Sequence, residues 1–118
     1  MTTNTGRHLV AVTACVSGVA HTYMAAERLE KLCQQEKWGV LIETQGALGV
    51  ECELTDDDIR RADVALLITD IELAGSERFD HARYVKCGIH AFLRDPHKVM
   101  AAVRKMLSAP QHTRIIVE

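Results

Sequence analysis

A chain of 118 residues, 47% hydrophobic and 25% charged, is long enough to bury a real core and short enough that one domain is the expectation. Its 14 Lys and Arg against 16 Asp and Glu leave a net charge of -2 with no basic block, and aromatic residues make up only 4%, so the phosphate-gathering field and the stacking platform of a nucleic-acid binder are both missing. Nothing at the N-terminus combines a basic flank, an apolar core and a cleavage site, and no apolar run approaches the roughly 18 residues needed to cross a bilayer, which predicts a cytoplasmic protein without direct membrane insertion.

Residues 1–6 carry no pattern and read as a mobile arm. Residues 7–14, with the apolar run Leu9-Val10-Ala11-Val12, predict a buried first strand that stops at Thr13-Ala14. Over residues 18–37, Tyr23, Ala26, Leu29, Leu32 and Cys33 recur at three- and four-residue spacing while Glu27, Arg28, Glu30, Lys31, Gln34 and Gln35 fall between them. That spacing predicts an amphipathic helix, ended by Trp38-Gly39. Val40-Leu41-Ile42 predicts a second short strand closing at Glu43-Thr44-Gln45-Gly46, with Gly46 and Gly49 bracketing a flexible connector. Thr55 then reads as the N-cap of a short helix over 56–61, whose acidic first turn suits the helix dipole. Residues 64–69 are continuously apolar, as a central parallel strand should be, and Asp70 follows at their carboxyl end. A weaker fourth strand covers 82–87. Asp95-Pro96 opens a last helix in which Val99, Ala102, Val103, Met106 and Leu107 repeat at helical spacing; Pro110 ends it, and residues 111–118 either add a short strand or fray.

Strands alternating with helices predict an α/β fold: an open, mainly parallel, Rossmann-like sheet of four strands with helices on both faces. In such sheets the ligand crevice lies outside the carboxyl ends of the strands, which gathers Cys15, the Glu43-Thr44-Gln45-Gly46 turn and Asp70 at one edge. A strand that breaks at a small-residue turn and feeds a helix leaves backbone N–H groups converging on one spot that favours anions. Cys15 opens that turn, so the dipoles that would hold a phosphoryl group would also stabilise its thiolate. Phosphoryl transfer through cysteine is the chemistry expected, with Val16, Ser17, Gly18, Val19, Ala20, His21 and Thr22 as the phosphate-binding loop. Glu43, Thr44, Gln45, Gly46 and Asp70 are candidate rim or partner contacts.

Familiar phosphate loops demand residues that can be looked for. No lysine follows Gly18, which removes the nucleotide-binding loop. A cysteine phosphatase places an arginine six residues after the nucleophile, where its fork grips the oxygens, and here that residue is His21. Without that arginine, transfer is favoured over trapping. His21 could orient a donor's phosphoryl group or contact a thiophosphate, with helix capping or packing as the alternative. Cys33 falls on the apolar helix face and reads as core, whereas Cys52 and Cys87 read as exposed thiols near loops, with a place at the active edge as the alternative for Cys87. The four cysteines form no C-x-x-C pair, and His8, His81, His90, His97 and His112 lack ligand spacing, so no metal and no cofactor are expected.

The stretch Thr13-Ala14-Cys15-Val16-Ser17-Gly18-Val19-Ala20-His21-Thr22-Tyr23-Met24-Ala25-Ala26-Glu27, with Glu43-Thr44-Gln45-Gly46, the helix start at Leu54-Thr55 to Asp58-Ile59, and Ala62-Asp63-Val64 into Asp70-Ile71, resembles the fructose-like IIB component of the bacterial sugar phosphotransferase system. The likeness runs over most of residues 7–107 and implies one such domain over 7–109, with 1–6 as arm and 110–118 as tail. It implies that Cys15 is the phosphocysteine, charged by the phosphohistidine of a IIA protein and discharged onto a fructose-like sugar as that sugar crosses the membrane IIC permease, beside which the chain would sit peripherally. Members of the branch commonly carry proline and then threonine or alanine after the cysteine, where this chain has Val16 and Ser17. A cysteine-dependent phosphatase and a non-catalytic regulatory module of the same fold remain alternatives.

Overall fold

The computed structural model describes residues 8–14, 19–46, 49–71, 73, 75–80, 82–107 and 114–117. The arm expected over 1–6, the loop Cys15-Val16-Ser17-Gly18, the connector residues Ala47 and Leu48, His81, Pro110 and the tail residues outside 114–117 lie outside the described residues. In chain order the elements are β1 (His8–Ala14), α1 (Val19–Glu36), β2 (Gly39–Gly46), β3 (Gly49–Glu51), α2 (Asp56–Arg61), β4 (Val64–Thr69), a 3-10 turn (Ser76–Phe79), β5 (Tyr84–Cys87), α3 (Ile89–Arg94), α4 (Pro96–Met106) and β6 (Arg114–Val117).

The sheet has six strands in the order β3-β2-β1-β4-β5-β6, not the expected four. Both additions are edge strands. β3 turns back antiparallel on β2, pairing Gly46 with Gly49, the two glycines that bracket the expected connector. β6 runs parallel to β5, which makes part of the tail a strand. The other four strands are parallel and match expectation, with β2 longer than its apolar core because Glu43, Thr44 and Gln45 continue the ladder.

β1 and β4 pair on both sides and are buried on both faces, which is why their sequences are continuously apolar rather than alternating. Successive side chains point to opposite faces. Leu9, Ala11, Leu66, Ile68 and Val85 pack against Ala25, Leu29 and Cys33 of α1, Ile89 and Phe92 of α3, and Val99 and Val103 of α4. Val10, Val12 and Leu67 face the other way, onto Leu54, Ile59 of α2, Leu73 and Phe79. Helices therefore cover both faces, three on one and α2 with the 3-10 turn on the other. Cys87 is 2% exposed, so the reading of an exposed thiol is corrected: it ends β5 inside the core. Cys52 is exposed.

The buried stripe of α1 is Thr22, Ala25, Leu29, Leu32 and Cys33, one position off the expected stripe at its start. Tyr23 is 38% exposed because its hydroxyl donates to the Glu51 carboxylate on β3. The helix ends in a Schellman motif: the Trp38 amide donates to the Cys33 carbonyl at 2.9 Å and the Lys37 amide to the Gln34 carbonyl at 3.1 Å. That geometry puts Lys37 at φ 63, where a side chain clashes with its own backbone and glycine is at ease. Farther on, Thr55 and Asp58 close a capping box at the start of α2, and Asp95 both ends α3 and caps α4 by accepting from the Lys98 amide.

Replacing Lys37 with glycine relieves the left-handed strain at the cost of a freer unfolded chain, and should stabilise the protein by about 0.5–1 kcal/mol. The check is a urea titration in which the midpoint rises with an unchanged slope.

Candidate active site

Register fixes where the chain leaves the sheet. Ala14, the last described residue before Cys15, pairs with Gln45 on one side and Thr69 on the other, and its carbonyl accepts the Asp70 amide at 3.4 Å. From β1 the chain runs outward to β2 and β3 and then returns to the opposite side of β1 as β4. The carboxyl ends of β1 and β4 are thus the point where strand order reverses, the usual ligand position of an open α/β sheet. Four residues, Cys15 to Gly18, connect this point to Val19, the first residue of α1, and these lie outside the described residues. α1 runs for 18 residues with no acidic side chain in its first turn, so the positive end of its dipole is not neutralised by its own sequence.

Val19 and Ala20 open that helix, and His21 and Thr22 complete its first turn. Thr22 is 1% exposed and Thr13, two residues before Cys15, is fully buried; neither hydroxyl finds a hydrogen-bond partner among the described residues. Buried hydroxyls without partners are uncommon, and here both flank the same loop. His21 is half-buried and meets the ring of His90 edge to face, with centroids 5.2 Å apart and planes at 68°.

The segment Glu43-Thr44-Gln45 lies inside the edge rather than on its rim. Glu43 is fully buried, and a bidentate pair from Arg78 meets its two oxygens at 2.9 and 3.0 Å. The Leu54 amide adds a 2.7 Å bond and Gln45 Nε2 a 2.6 Å bond. Arg78 in turn donates to the carbonyls of Leu54 and Gly75, so one ion pair ties β2, the α2 approach and the 3-10 turn together. Burial pushes the Glu43 carboxyl up, but the bonds from Arg78, Gln45 and Leu54 outweigh it and hold the group below the usual carboxylate range. Thr44 and Gln45 are 8% and 7% exposed, and Gly46 closes the hairpin opposite Gly49. Asp70 is exposed at the end of β4, and its Oδ1 accepts the Ile89 amide at 3.1 Å, pinning the start of α3.

Burial, with the Asp70 charge adding, pushes the Cys87 thiol up to about 12; burial and the charges of Glu36 and Glu30 do the same to Cys33. Both stay protonated near neutral pH and are poor nucleophiles. Among the described residues no group of three or more His, Cys, Asp and Glu gathers to hold a metal, and no helix is long and apolar enough to cross a membrane. Sequence reasoning missed Arg78 and His90. Arg78 is 35 positions from Glu43, and no local pattern announces such a pair.

Because the Glu43 carboxylate is favoured by folding, its contribution to stability is complete above the ordinary value of 4.5 and is lost as pH falls below it. Glu43→Gln should cost roughly 3 kcal/mol and flatten that acid dependence, since it strands a largely buried guanidinium. Arg78→Met should cost a similar amount, and the double variant clearly less than the sum. Denaturant titrations at pH 7 and pH 4 measure all three; additive losses would mean the two groups stand apart.

A family described as "PTS system, Lactose/Cellobiose specific IIB subunit" matches residues 10–102. The "PTS system fructose-like EIIB component 3" of Escherichia coli strain K12 is 78% identical over 111 residues, covering 94% of this chain and 98% of the relative. A crystal structure described as a predicted fructose-specific IIB from Escherichia coli superposes with a TM-score of 0.92 at 78% identity, over 95% of this chain and 99% of the other. The "PTS system fructose-specific EIIB'BC component" of Xanthomonas campestris is 39% identical over 90 residues, covering 76% of this chain and 15% of that longer protein. The family description names lactose and cellobiose, while these relatives name fructose; nearly full-length identity of 78% is the stronger guide to the branch. With its parallel sheet and its cysteine loop at the reversal of strand order, the chain belongs to the IIB components of the sugar phosphotransferase system, in their fructose-like branch.

Proposed function

We propose that this IIB component works as a phosphocarrier: Cys15 accepts a phosphoryl group from the phosphohistidine of a IIA protein and passes it to a fructose-like sugar during uptake through a membrane IIC permease. In the first step the Cys15 thiolate attacks phosphorus, the S–P bond forms, and the donor's N–P bond breaks with its electron pair returning to the imidazole. In the second, a sugar hydroxyl oxygen attacks phosphorus, its proton departs to solvent or a neighbouring base, and the thiolate leaves. The thiolate is thereby regenerated, so one cysteine serves repeated turnovers.

The observation that carries this reading is the junction itself. β1 ends at Ala14 and α1 begins at Val19, at the strand-order reversal, with Cys15 the first residue between them. An 18-residue helix with no acid in its first turn favours a doubly charged thiophosphate there. The loop from Val16 through Thr22 would cradle it through main-chain amides and the hydroxyls of Ser17 and Thr22. Thr22, like Thr13, has a hydroxyl with no partner to give up among the described residues. The raised thiols of Cys33 and Cys87 leave them unsuited to compete for phosphate. His21 stands where a cysteine phosphatase carries its arginine, which favours handing the group on over hydrolysing it.

The partner reading draws on the long Xanthomonas relative, whose name joins EIIB' and BC in one polypeptide. By that analogy this chain docks on a separate IIC at the cytoplasmic face of the membrane, with the edge that carries Gln45, Gly46 and Asp70 turned to its partners.

Incubation with phosphohistidine donor proteins, followed by intact mass at mildly alkaline pH, should add one phosphoryl group to the unsubstituted chain and none to Cys15→Ser. A label that survives loss of Cys15 would contradict the carrier reading. Steady turnover of an aryl phosphate with no acceptor would support a phosphatase, and no gain from any donor a regulatory module.

A further inference from the structure

Two features beside the Cys15 loop have no part in the transfer chemistry described above. The first is His90, on the first turn of α3, whose ring meets His21 edge to face at 5.2 Å between centroids, inside the range at which aromatic rings attract one another. His21 lies six residues after Cys15, on the first turn of α1. The second is the support under His90. Asp70, at the end of β4, accepts the amide of Ile89, the neighbour of His90, at 3.1 Å. A Cβ added at Gly88 would stand 2.9 Å from that same carboxylate oxygen, so a side chain there would push the Asp70 carboxylate out of its present position.

These contacts run in one line from the sheet to the first turn of α1. β4 pairs with β1 up to Ala14 and Thr69, Asp70 fixes the start of α3, and α3 holds the ring of His90 against His21. An imidazole on the first turn of a helix, half-exposed and without a neighbour, would turn among several rotamers. Held by a second ring it keeps one orientation, and a group that must meet a transferring phosphoryl gains most from being held before the reaction begins.

We propose that His90, anchored by Asp70, is a positioning residue for phosphoryl transfer that acts by holding in one orientation the ring of His21, six residues after Cys15 in the chain. The inference rests on the phosphocarrier reading. His90 itself touches no reacting atom. Its effect passes through His21 and depends on the presence of a ring rather than on imidazole chemistry.

Single-turnover phosphorylation of the full chain by a phosphohistidine donor, followed by intact mass, tests it. His90→Ala should slow transfer at saturating donor about tenfold, with the half-saturating donor concentration unchanged. His90→Phe, which keeps a ring at that position, should restore the rate to within about twofold, and His90→Ala should add no further loss in a His21→Ala background. In proton NMR the His21 ring resonances should move in His90→Ala and stay near their original positions in His90→Phe. His90 is exposed, so its replacement should leave the melting temperature unchanged. If the unsubstituted chain gains no phosphoryl group, the phosphocarrier reading fails and takes this inference with it. If the chain is phosphorylated but His90→Ala is as fast, or its loss multiplies that of His21→Ala, or phenylalanine fails to rescue it, this inference alone is overturned.

Discussion

The double pairing of β1 is the constraint from which the rest follows. A strand laddered to β2 on one side and β4 on the other, and buried on both faces, cannot slip by one residue without turning every side chain to the wrong face. Its end is therefore fixed, and with it the point where Cys15 begins. Because β1 leads to β2 on one side while its neighbour β4 leads to β5 on the other, the connections that follow these two strands diverge and leave the carboxyl edge open. The open edge where the chain leaves β1 is a consequence of strand order before any particular side chain is considered.

Around that edge the polar groups divide into two kinds. Glu43, Arg78, Gln45 and the Leu54 amide satisfy one another in a closed network that joins three segments distant in sequence. A buried ion pair of this kind is weak evidence for net stability, since desolvation offsets much of the attraction, but its geometry admits one arrangement of the segments it joins. Thr13 and Thr22, by contrast, have no partner among the described residues. A satisfied network beneath an edge and unsatisfied hydroxyls beside it is the distribution expected where the frame must be rigid and the site must still bind.

Much of the fold was legible in local pattern. The start of α2 follows from Thr55 as an N-cap ahead of an acidic first turn, a signal carried by four consecutive residues, and the structure closes it into a capping box with Asp58. β1 and β4 announced themselves by unbroken apolar runs. What escaped depends on contacts between distant segments. β3 is three exposed residues that become a strand only by folding back on β2, and that hairpin draws Tyr23 out of the predicted core stripe through Glu51. α3 starts on an amide held by Asp70, 19 positions earlier, with no side-chain cap of its own to signal it. β6 is an edge strand of alternating exposure with a weak signal of its own. At the site the same division holds: the junction between the end of β1 at Ala14 and the start of α1 at Val19 could be read from a strand, a small-residue turn and a helix in succession. The burial of Glu43 and the contact of His90 with His21 could not.

The central claim is that one sulfur, Cys15, is an ionised nucleophile in a site built for an anion, while the other thiols are silenced or idle. Site-resolved alkylation of the native chain at neutral pH, with and without inorganic phosphate, measures this most directly. The account predicts that Cys15 reacts first, that phosphate slows Cys15 but not Cys52, and that Cys33 and Cys87 remain unmodified until the protein unfolds. A Cys15 no faster than the exposed Cys52, and indifferent to phosphate, would contradict it.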